Sequence, residues 1–261
     1  MSAMSRNDEI KKIVKAKYSE VAEGKSKVSR SCCGPSASSC CSGTNQQELV
    51  NMSAPYSEAD KSSVPDGADL GLGCGTPVAF ADVREGMTVL DLGAGAGIDC
   101  FVASKYVGKT GRVIGLDMTE EMIRKANENK EKVRITNVEF RLGEIESLPV
   151  DDQSIDRVIS NCVINLVPDK SRAFQEIYRV LKPGGKFTVS DIVLDGELSE
   201  EETRDASLWA GCVSGALQRK DYIDKIKSAG FRDIKILAEK KYDYKLSTGA
   251  GLFSVTISGM K

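Results

Sequence analysis

Thr88-Val-Leu-Asp-Leu-Gly-Ala-Gly-Ala-Gly-Ile-Asp-Cys100, followed by Gly111-Arg-Val-Ile-Gly-Leu-Asp117, is the stretch that decides the fold. An apolar strand (Val89, Leu90) runs through Asp91 into a loop carrying Gly93, Gly95 and Gly97. A helix's worth of residues separates it from a second apolar strand, 113–116, which ends on Asp117. Asp117 stands 20 positions after Gly97. In nucleotide-binding α/β proteins, a carboxylate about that far beyond the glycine loop accepts the ribose hydroxyls.

The glycine spacing also bears on which nucleoside is held. A pyrophosphate loop reads G-x-G-x-x-G, with its third glycine where Ile98 stands here. This chain has G-x-G-x-G, which allows close approach but specifies no diphosphate cradle. Loop and carboxylate together resemble the class I S-adenosylmethionine (SAM) methyltransferases. A plain tight turn would leave Asp117 unexplained.

Composition narrows the classes further. At 261 residues the chain can bury a core of one domain plus extensions. A net charge of −2 supplies no basic field for nucleic acid. No apolar run approaches the roughly 18–20 residues of a membrane span, and no signal peptide opens the chain. The expectation is a cytoplasmic protein, monomeric and without nucleic-acid or membrane partners. There its 8 cysteines favour metal, metalloid or redox work over structural disulfides. There is no histidine, so the usual general base and the usual nitrogen ligand are both missing.

Along the chain, Ile10, Ile13, Val14, Tyr18 and Val21 define one face of a helix over 7–21. Residues 26–47 are rich in Ser and Gly and hold Cys32, Cys33, Cys40 and Cys41, so they read as a mobile arm. A glycine-dense loop, 65–77, carries Cys74. From Val83 strand and helix patterns alternate, as a parallel sheet requires. Strands are expected at 89–92, 113–117, 138–142, 155–161 and 186–193, with two more at 234–238 and 253–258. Thr119 is a candidate N-cap, and Ser199 with Glu202 reads as a capping box. Lys182-Pro-Gly-Gly185 is expected to stop the helix lined by Ala173, Phe174, Ile177, Val180 and Leu181. The fold expected is α/β: a class I methyltransferase, doubly wound, with a mostly parallel seven-stranded sheet and helices on both faces. The domains read as 1–48, N-terminal helix and Cys-rich arm; 49–82, a cap segment; and 83–261, the SAM-binding core with an insertion at about 196–218.

Ligands in such sheets bind beyond the carboxyl ends of the strands. Cys162 follows the fourth strand, Cys74 belongs to the upstream glycine loop, and Cys212 lies in the insertion. Three distant stretches thus bring thiols toward one rim, although ordinary buried cysteines are common in cores. Cys100, among Ile98, Phe101 and Val102, reads as core. The pairs Cys32-Cys33 and Cys40-Cys41 suit zinc ligation, thiophilic transfer or redox relay.

Three motifs carry a closer resemblance. Ser160-Asn-Cys-Val-Ile-Asn-Leu-Val-Pro-Asp-Lys170 resembles the signature stretch of arsenite SAM methyltransferases. Gly71-Leu-Gly-Cys-Gly75 and Trp209-Ala-Gly-Cys-Val-Ser-Gly-Ala-Leu217 are similar to two further motifs of that family. The likeness runs from roughly 54 to 238. It implies that Cys74, Cys162 and Cys212 hold trivalent arsenic, and that an N-terminal cysteine among Cys32, Cys33, Cys40 and Cys41 exchanges thiols. It further implies arsenite and methylated arsenicals as ligands, detoxification as the outcome, and a thiol reductant of thioredoxin or glutathione type.

The chemistry suits a chain without histidine. Arsenite is a neutral trihydroxide; each thiol replaces one hydroxyl and releases water, so no base is needed. Soft thiolates suit this soft centre. Asp91, Gly93, Gly95, Asp117, Met118, Gly143, Glu144, Ile145 and Asn161 are expected to line the SAM pocket. Glu144 is expected to reach the adenine amine, with Met118 and Ile145 about the ring. Two alternatives stand: a methyltransferase of a small organic acceptor, and a thiol-rich metalloid- or zinc-binding protein on the same fold.

Overall fold

Both faces of the central sheet are buried, and the strand sequences show why. Val89, Val113 and Ile159 pack into one apolar cluster, whereas Leu90, Ile114 and Val158 pack into another. Successive residues point to opposite faces, so strands that place apolar residues on both faces need helices on both sides. The computed structural model describes residues 5–25, 56–62 and 64–261.

In chain order the described elements begin with helices α1 (Arg6–Ala22), α2 (Glu58–Lys61) and α3 (Pro77–Phe80). The core opens with β1 (Thr88–Leu92), α4 (Ile98–Val107), β2 (Arg112–Asp117), α5 (Glu120–Val133) and β3 (Val138–Leu142). It continues with β4 (Ile155–Asn161), a 3-10 turn (Ile164–Leu166), α6 (Lys170–Val180) and β5 (Leu181–Asp195). Helices α7 (Glu200–Arg204) and α8 (Ala206–Ala210) and the short β6 (Leu217–Gln218) precede α9 (Arg219–Ser228), β7 (Arg232–Tyr242) and β8 (Gly251–Met260).

The strand order is β3-β2-β1-β4-β5-β8-β7, with β6 paired to β5. β1 through β5 run parallel, and β8 lies antiparallel to both β5 and β7. The order reverses between β1 and β4, and the clefts of such sheets open beyond the carboxyl ends there.

The architecture is the one expected, with four differences. The two-residue β6 makes the sheet eight-stranded. β5 starts at Leu181, where a helix end and a break were expected: Leu181 pairs with Ile155, and a register shift absorbs Pro183-Gly-Gly185 before Lys186 pairs with Arg157. Thr119 takes the N-cap position of α5 but makes no side-chain cap bond; its side chain hydrogen-bonds with Asp117, which also accepts its N–H. Ile13 is 40% exposed, while Val14 and Val21 are buried. The Ser199–Glu202 capping box forms as expected.

Helix α1 packs against α5 and α8 over the carboxyl ends of the strands. Its N-cap Ser5 and Asp8 form a capping box, which satisfies amides at its start. No helix among the described residues is long and apolar enough to cross a membrane.

Candidate active site

The loop after β1 turns through three glycines with φ of 67°, 53° and 98° at Gly93, Gly95 and Gly97. A side chain at Gly93 would also collide, since a Cβ there would lie 2.5 Å from Val163. Backbone and the segment after β4 therefore touch, and only glycine permits it.

Above this loop lies a cavity of about 280 Å³. Its floor is Gly93, Gly95, Asp117 and Met118; Gly143, Glu144 and Ile145 follow from the end of β3; Asn161 and Cys162 come from the end of β4. Lys11, Val14 and Tyr18 of α1 supply the opposite wall. Asp117 is fixed by two amides, accepting from Gly95 N at 3.0 Å and Thr119 N at 2.9 Å. Burial raises its carboxyl above the usual range, and these amides counter that.

The lining is rich in carboxylates. Asp69, Asp99, Asp117, Glu144 and Glu146 line the cavity, against Lys11 as the single cation among the described residues. Lys11 Nζ is engaged with Glu144 at 2.6 Å and Glu146 at 3.1 Å. This acidic cleft beside a glycine loop fits a cationic nucleoside. SAM is one: its sulfonium and ammonium outweigh its carboxylate.

Of the expected pocket residues, Asp91 is the exception. It is 1% exposed and absent from the cavity wall. Its side chain leaves β1 on the α4 face, where Cys100 Sγ donates to Oδ2 at 3.2 Å. Oδ1 has no partner among the described residues, and burial pushes the carboxyl up to about 7. Cys100 is core, as expected, but also serves as the donor to this carboxyl.

The three thiols do meet. Cys74, Cys162 and Cys212 are 3–4% exposed and share one apolar cluster with Ile192, Leu208, Val213 and Leu252. Cys162 hydrogen-bonds with Cys212 and with Cys74, and these bonds, together with burial, hold its thiol well above the usual range. Burial raises Cys74 as well. Cys212 Sγ donates to the Cys162 carbonyl at 3.2 Å. Cys162 lines the cavity, so the cluster abuts it. Among the described residues no three His, Cys, Asp or Glu side chains are arranged to hold a metal ion.

Two of these cysteines are held in the left-handed region, with φ of 62° at Cys162 and 64° at Cys212. For a residue with a Cβ this costs on the order of 1–2 kcal/mol each. Hydrogen bonds hold both: Cys162 N donates to Ser190 O at 2.7 Å, and Cys212 N to Trp209 O at 3.0 Å. Strain retained at two thiols that meet marks the cluster as a functional candidate.

Asn161 clamps the third thiol. Its Oδ1 accepts from Cys74 N at 2.9 Å and Gly75 N at 3.1 Å. Its Nδ2 donates to Gly75 O at 2.9 Å and Asp99 Oδ2 at 3.1 Å. Ser254 Oγ donates to Cys74 O at 2.7 Å. The Cys74 loop is therefore pinned at both backbone groups, although its glycines suggested freedom. Beneath it, a Cβ on Gly75 would meet Ser190 Oγ at 2.4 Å.

A buried polar layer supports Cys212 from below. Asn165 Nδ2 donates to Ile192 O at 2.7 Å and Cys212 O at 3.4 Å. Lys170 Nζ donates to the Asn165 and Val167 carbonyls, and burial lowers it to about 8. Asp191, pushed up to about 7 by burial, accepts from Tyr222 OH at 3.0 Å.

Sequence reasoning missed Lys11, Tyr18, Tyr56 and Asp99 as cavity residues. Tyr18 hydrogen-bonds with Cys212, and burial followed by the neighbouring cysteines keeps its phenol well above the usual range. The helical period put Tyr18 on the inward face of α1; nothing local told what that face meets. Cys32, Cys33, Cys40 and Cys41 lie outside the described residues.

Comparisons agree with this geometry. Residues 83–246 match the family described as methyltransferase domain. An arsenite methyltransferase of Halobacterium salinarum is 42% identical over 266 residues, covering 97% of this chain and 67% of that protein. The arsenite methyltransferase of Mus musculus is 43% identical over 168 residues, or 61% of this chain, which spans 44% of the mouse protein. The arsenic (III) S-adenosylmethionine methyltransferase of Chlamydomonas reinhardtii has a similar structure, with a TM-score of 0.67 and 36% identity, covering 79% of this chain and 71% of that one. The matched methyltransferase domain, the similarity along nearly the whole chain and the shared fold together establish that this chain belongs to the arsenite methyltransferase family of SAM-dependent enzymes.

Proposed function

We propose that the protein methylates trivalent arsenic held by Cys74, Cys162 and Cys212, with SAM in the adjoining cavity. The observation that carries the reading is the convergence of three buried thiols against the wall of a glycine-loop cavity. Arsenite enters as a neutral trihydroxide. Each thiol forms one As–S bond, and its proton leaves with one hydroxyl as water. Burial of Cys74, and the bonds of Cys162 to the other two thiols together with its burial, favour their protonated forms, which suits an exchange that sends one thiol proton out with each departing hydroxyl.

When bound, SAM supplies an electrophilic methyl group on its sulfonium sulfur. Asp117 would receive the ribose hydroxyls, and Glu144, Met118 and Ile145 would surround the adenine. For Glu144 to reach the adenine amine it must share or release Lys11. Three sulfurs leave the arsenic a lone pair on the open side of the pyramid, which Cys162 orients toward the cavity. Asn161 and Ser254 hold Cys74 in place, and the Asn165–Lys170 layer holds the Cys162–Cys212 turns. Positioning of this kind is worth up to about 7–11 kcal/mol in well-oriented cases. Capture of the methyl by the arsenic lone pair takes arsenic formally from trivalent to pentavalent. A thiol reductant, of thioredoxin or glutathione type, restores trivalence by attacking one arsenic-bound cysteine sulfur. The pair leaves as a disulfide, its electrons stay on arsenic, the thiol proton is released and two As–S bonds remain. A second reductant thiol then reduces that disulfide. Cys32, Cys33, Cys40 and Cys41 are the chain's own candidates for thiol exchange with the reductant. Methylated arsenicals are the products, and detoxification is the role that follows.

The test is direct. Pure protein is incubated with arsenite, methyl-labelled SAM and a thiol, and the arsenic species are separated. Label should appear in methylated arsenicals. Label in an organic acceptor with none on arsenic would overturn the reading.

A further inference from the structure

Tyr18, on α1, belongs to two places at once. It lines the cavity, and it packs against the apolar cluster that holds Cys74, Cys162 and Cys212. Its hydroxyl hydrogen-bonds with the Cys212 side chain. A phenol keeps its proton at neutral pH, so Tyr18 is the donor and the sulfur the acceptor. The Cys212 thiol donates its own proton to the Cys162 carbonyl at 3.2 Å. Tyr18 approaches the sulfur from a backbone that is well secured. Beside it Ser19 Oγ donates to Glu121 at 2.8 Å, Lys125 Nζ donates to Ala22 O at 3.0 Å, and Val14 and Val21 are buried.

We propose that Tyr18 is a positioning residue of the thiol site, whose hydroxyl holds the Cys212 sulfur once arsenic is bound. The proposal rests on the arsenic reading. When Cys212 forms its As–S bond, its thiol proton leaves with one arsenite hydroxyl as water. The bond to the Cys162 carbonyl goes with that proton. Cys212 has a φ of 64°, so this contact is lost where the backbone is strained. The Tyr18 bond survives the exchange and strengthens, because an arsenic-bound sulfur carries more negative charge than a thiol. Cys74 and Cys162 are held by backbone bonds to Asn161, Ser254 and Ser190, which use no thiol proton. For Cys212, the amide bond to Trp209 O fixes the backbone, and Tyr18 fixes the sulfur. Helix α1, far upstream in sequence, thereby becomes part of the arsenic site.

The experiment uses the whole protein with inorganic arsenite as the probe. Binding is followed by the fluorescence of Trp209, the only tryptophan, and by near-ultraviolet difference absorption. Wild type should bind arsenite and show a sulfur-to-arsenic charge-transfer band; a wild type with neither would overturn the arsenic reading itself. Tyr18→Phe keeps the ring and should bind arsenite about 3- to 10-fold more weakly, as one hydrogen bond to a charged sulfur warrants. Its band should move to longer wavelength, because a hydrogen bond lowers the energy of the sulfur lone pairs and its loss raises them. The affinity for S-adenosylhomocysteine, measured by calorimetry, should stay within about 2-fold of wild type. Unchanged arsenite affinity in Tyr18→Phe would overturn the proposal. Weaker arsenite binding with an unmoved band, or equal loss of arsenite and S-adenosylhomocysteine binding, would reduce Tyr18 to a packing role and overturn it as well.

Discussion

Asn161→Ala is the substitution that the site's geometry makes most informative. Asn161 makes four hydrogen bonds, to Cys74 N, Gly75 N, Gly75 O and Asp99 Oδ2, between 2.9 and 3.1 Å. At about 0.5–1.5 kcal/mol net for each, their sum is roughly 2–6 kcal/mol. The cavity lies beside them, so water can satisfy some of the freed groups, and about 2–3 kcal/mol is the expected loss. For a chain of this size that lowers Tm by roughly 5–10 °C. The functional loss should be selective. With the Cys74 backbone released, arsenite kcat/KM should fall about 10- to 100-fold, since misplacing a reacting group by an ångström has that order of effect. A monomethylated arsenical, which needs two thiolates, should lose less. Differential scanning calorimetry and arsenic speciation read the two effects. A Tm within about 2 °C of wild type together with full arsenite turnover would refute the clamp.

Three further expectations follow from particular residues. Asp117→Ala should weaken SAM binding by about 2–4 kcal/mol through loss of charge-assisted bonds to the ribose, with arsenical binding largely intact; unchanged SAM affinity in calorimetry would remove Asp117 from the pocket. Burial pushes Asp91 up to about 7, so between about pH 4 and 7 the folded state holds a proton that the unfolded chain has released. Stability should therefore fall as pH rises through that window, and Asp91→Asn should remove part of the dependence of Tm on pH, Asp191 keeping its own share; an unaltered profile would mean Asp91 does not contribute. Replacing Cys32, Cys33, Cys40 and Cys41 together by Ser should slow steady-state methylation under limiting reductant while SAM binding persists, and unaltered turnover would make these thiols incidental.

The parts legible in the sequence were those set by local pattern. The glycine loop, Asp117 and the apolar strands β1, β2 and β4 are written in consecutive residues, and parallel pairing follows from alternation with helices. The Cys162 and Cys212 motifs could be placed at one rim because strand ends share a face. What stayed hidden was set by tertiary contact. Pro183-Gly-Gly185 has the chemistry of a break, but pairing of β5 with β4 and β8 carries the strand past it. Asp91 looked like a pocket residue from its place at the strand end, yet a strand alternates faces, and Asp91 falls on the side of Cys100. Tyr18 and Lys11 reach the cavity because α1 docks across it from far upstream, and no local signal encodes that docking. The positive φ of Cys162 and Cys212 is equally invisible, since neither residue type favours it.

The claim that matters most is that three thiolates on arsenic do the chemistry, and single-turnover arsenic speciation with single cysteine variants tests it most directly. A methylated product retains two sulfur ligands where arsenite takes three. Cys162 adjoins the cavity and hydrogen-bonds with both other thiols, and Cys212 packs against it, so under the proposed mechanism these two are the pair expected to be retained through both steps. Cys162→Ser and Cys212→Ser should abolish methylation of arsenite and of a monomethylated arsenical alike. Cys74→Ser should abolish the first and keep much of the second. Equal loss of both steps in Cys74→Ser would contradict only the division of labour, whereas full arsenite methylation by Cys162→Ser would contradict the thiolate mechanism itself.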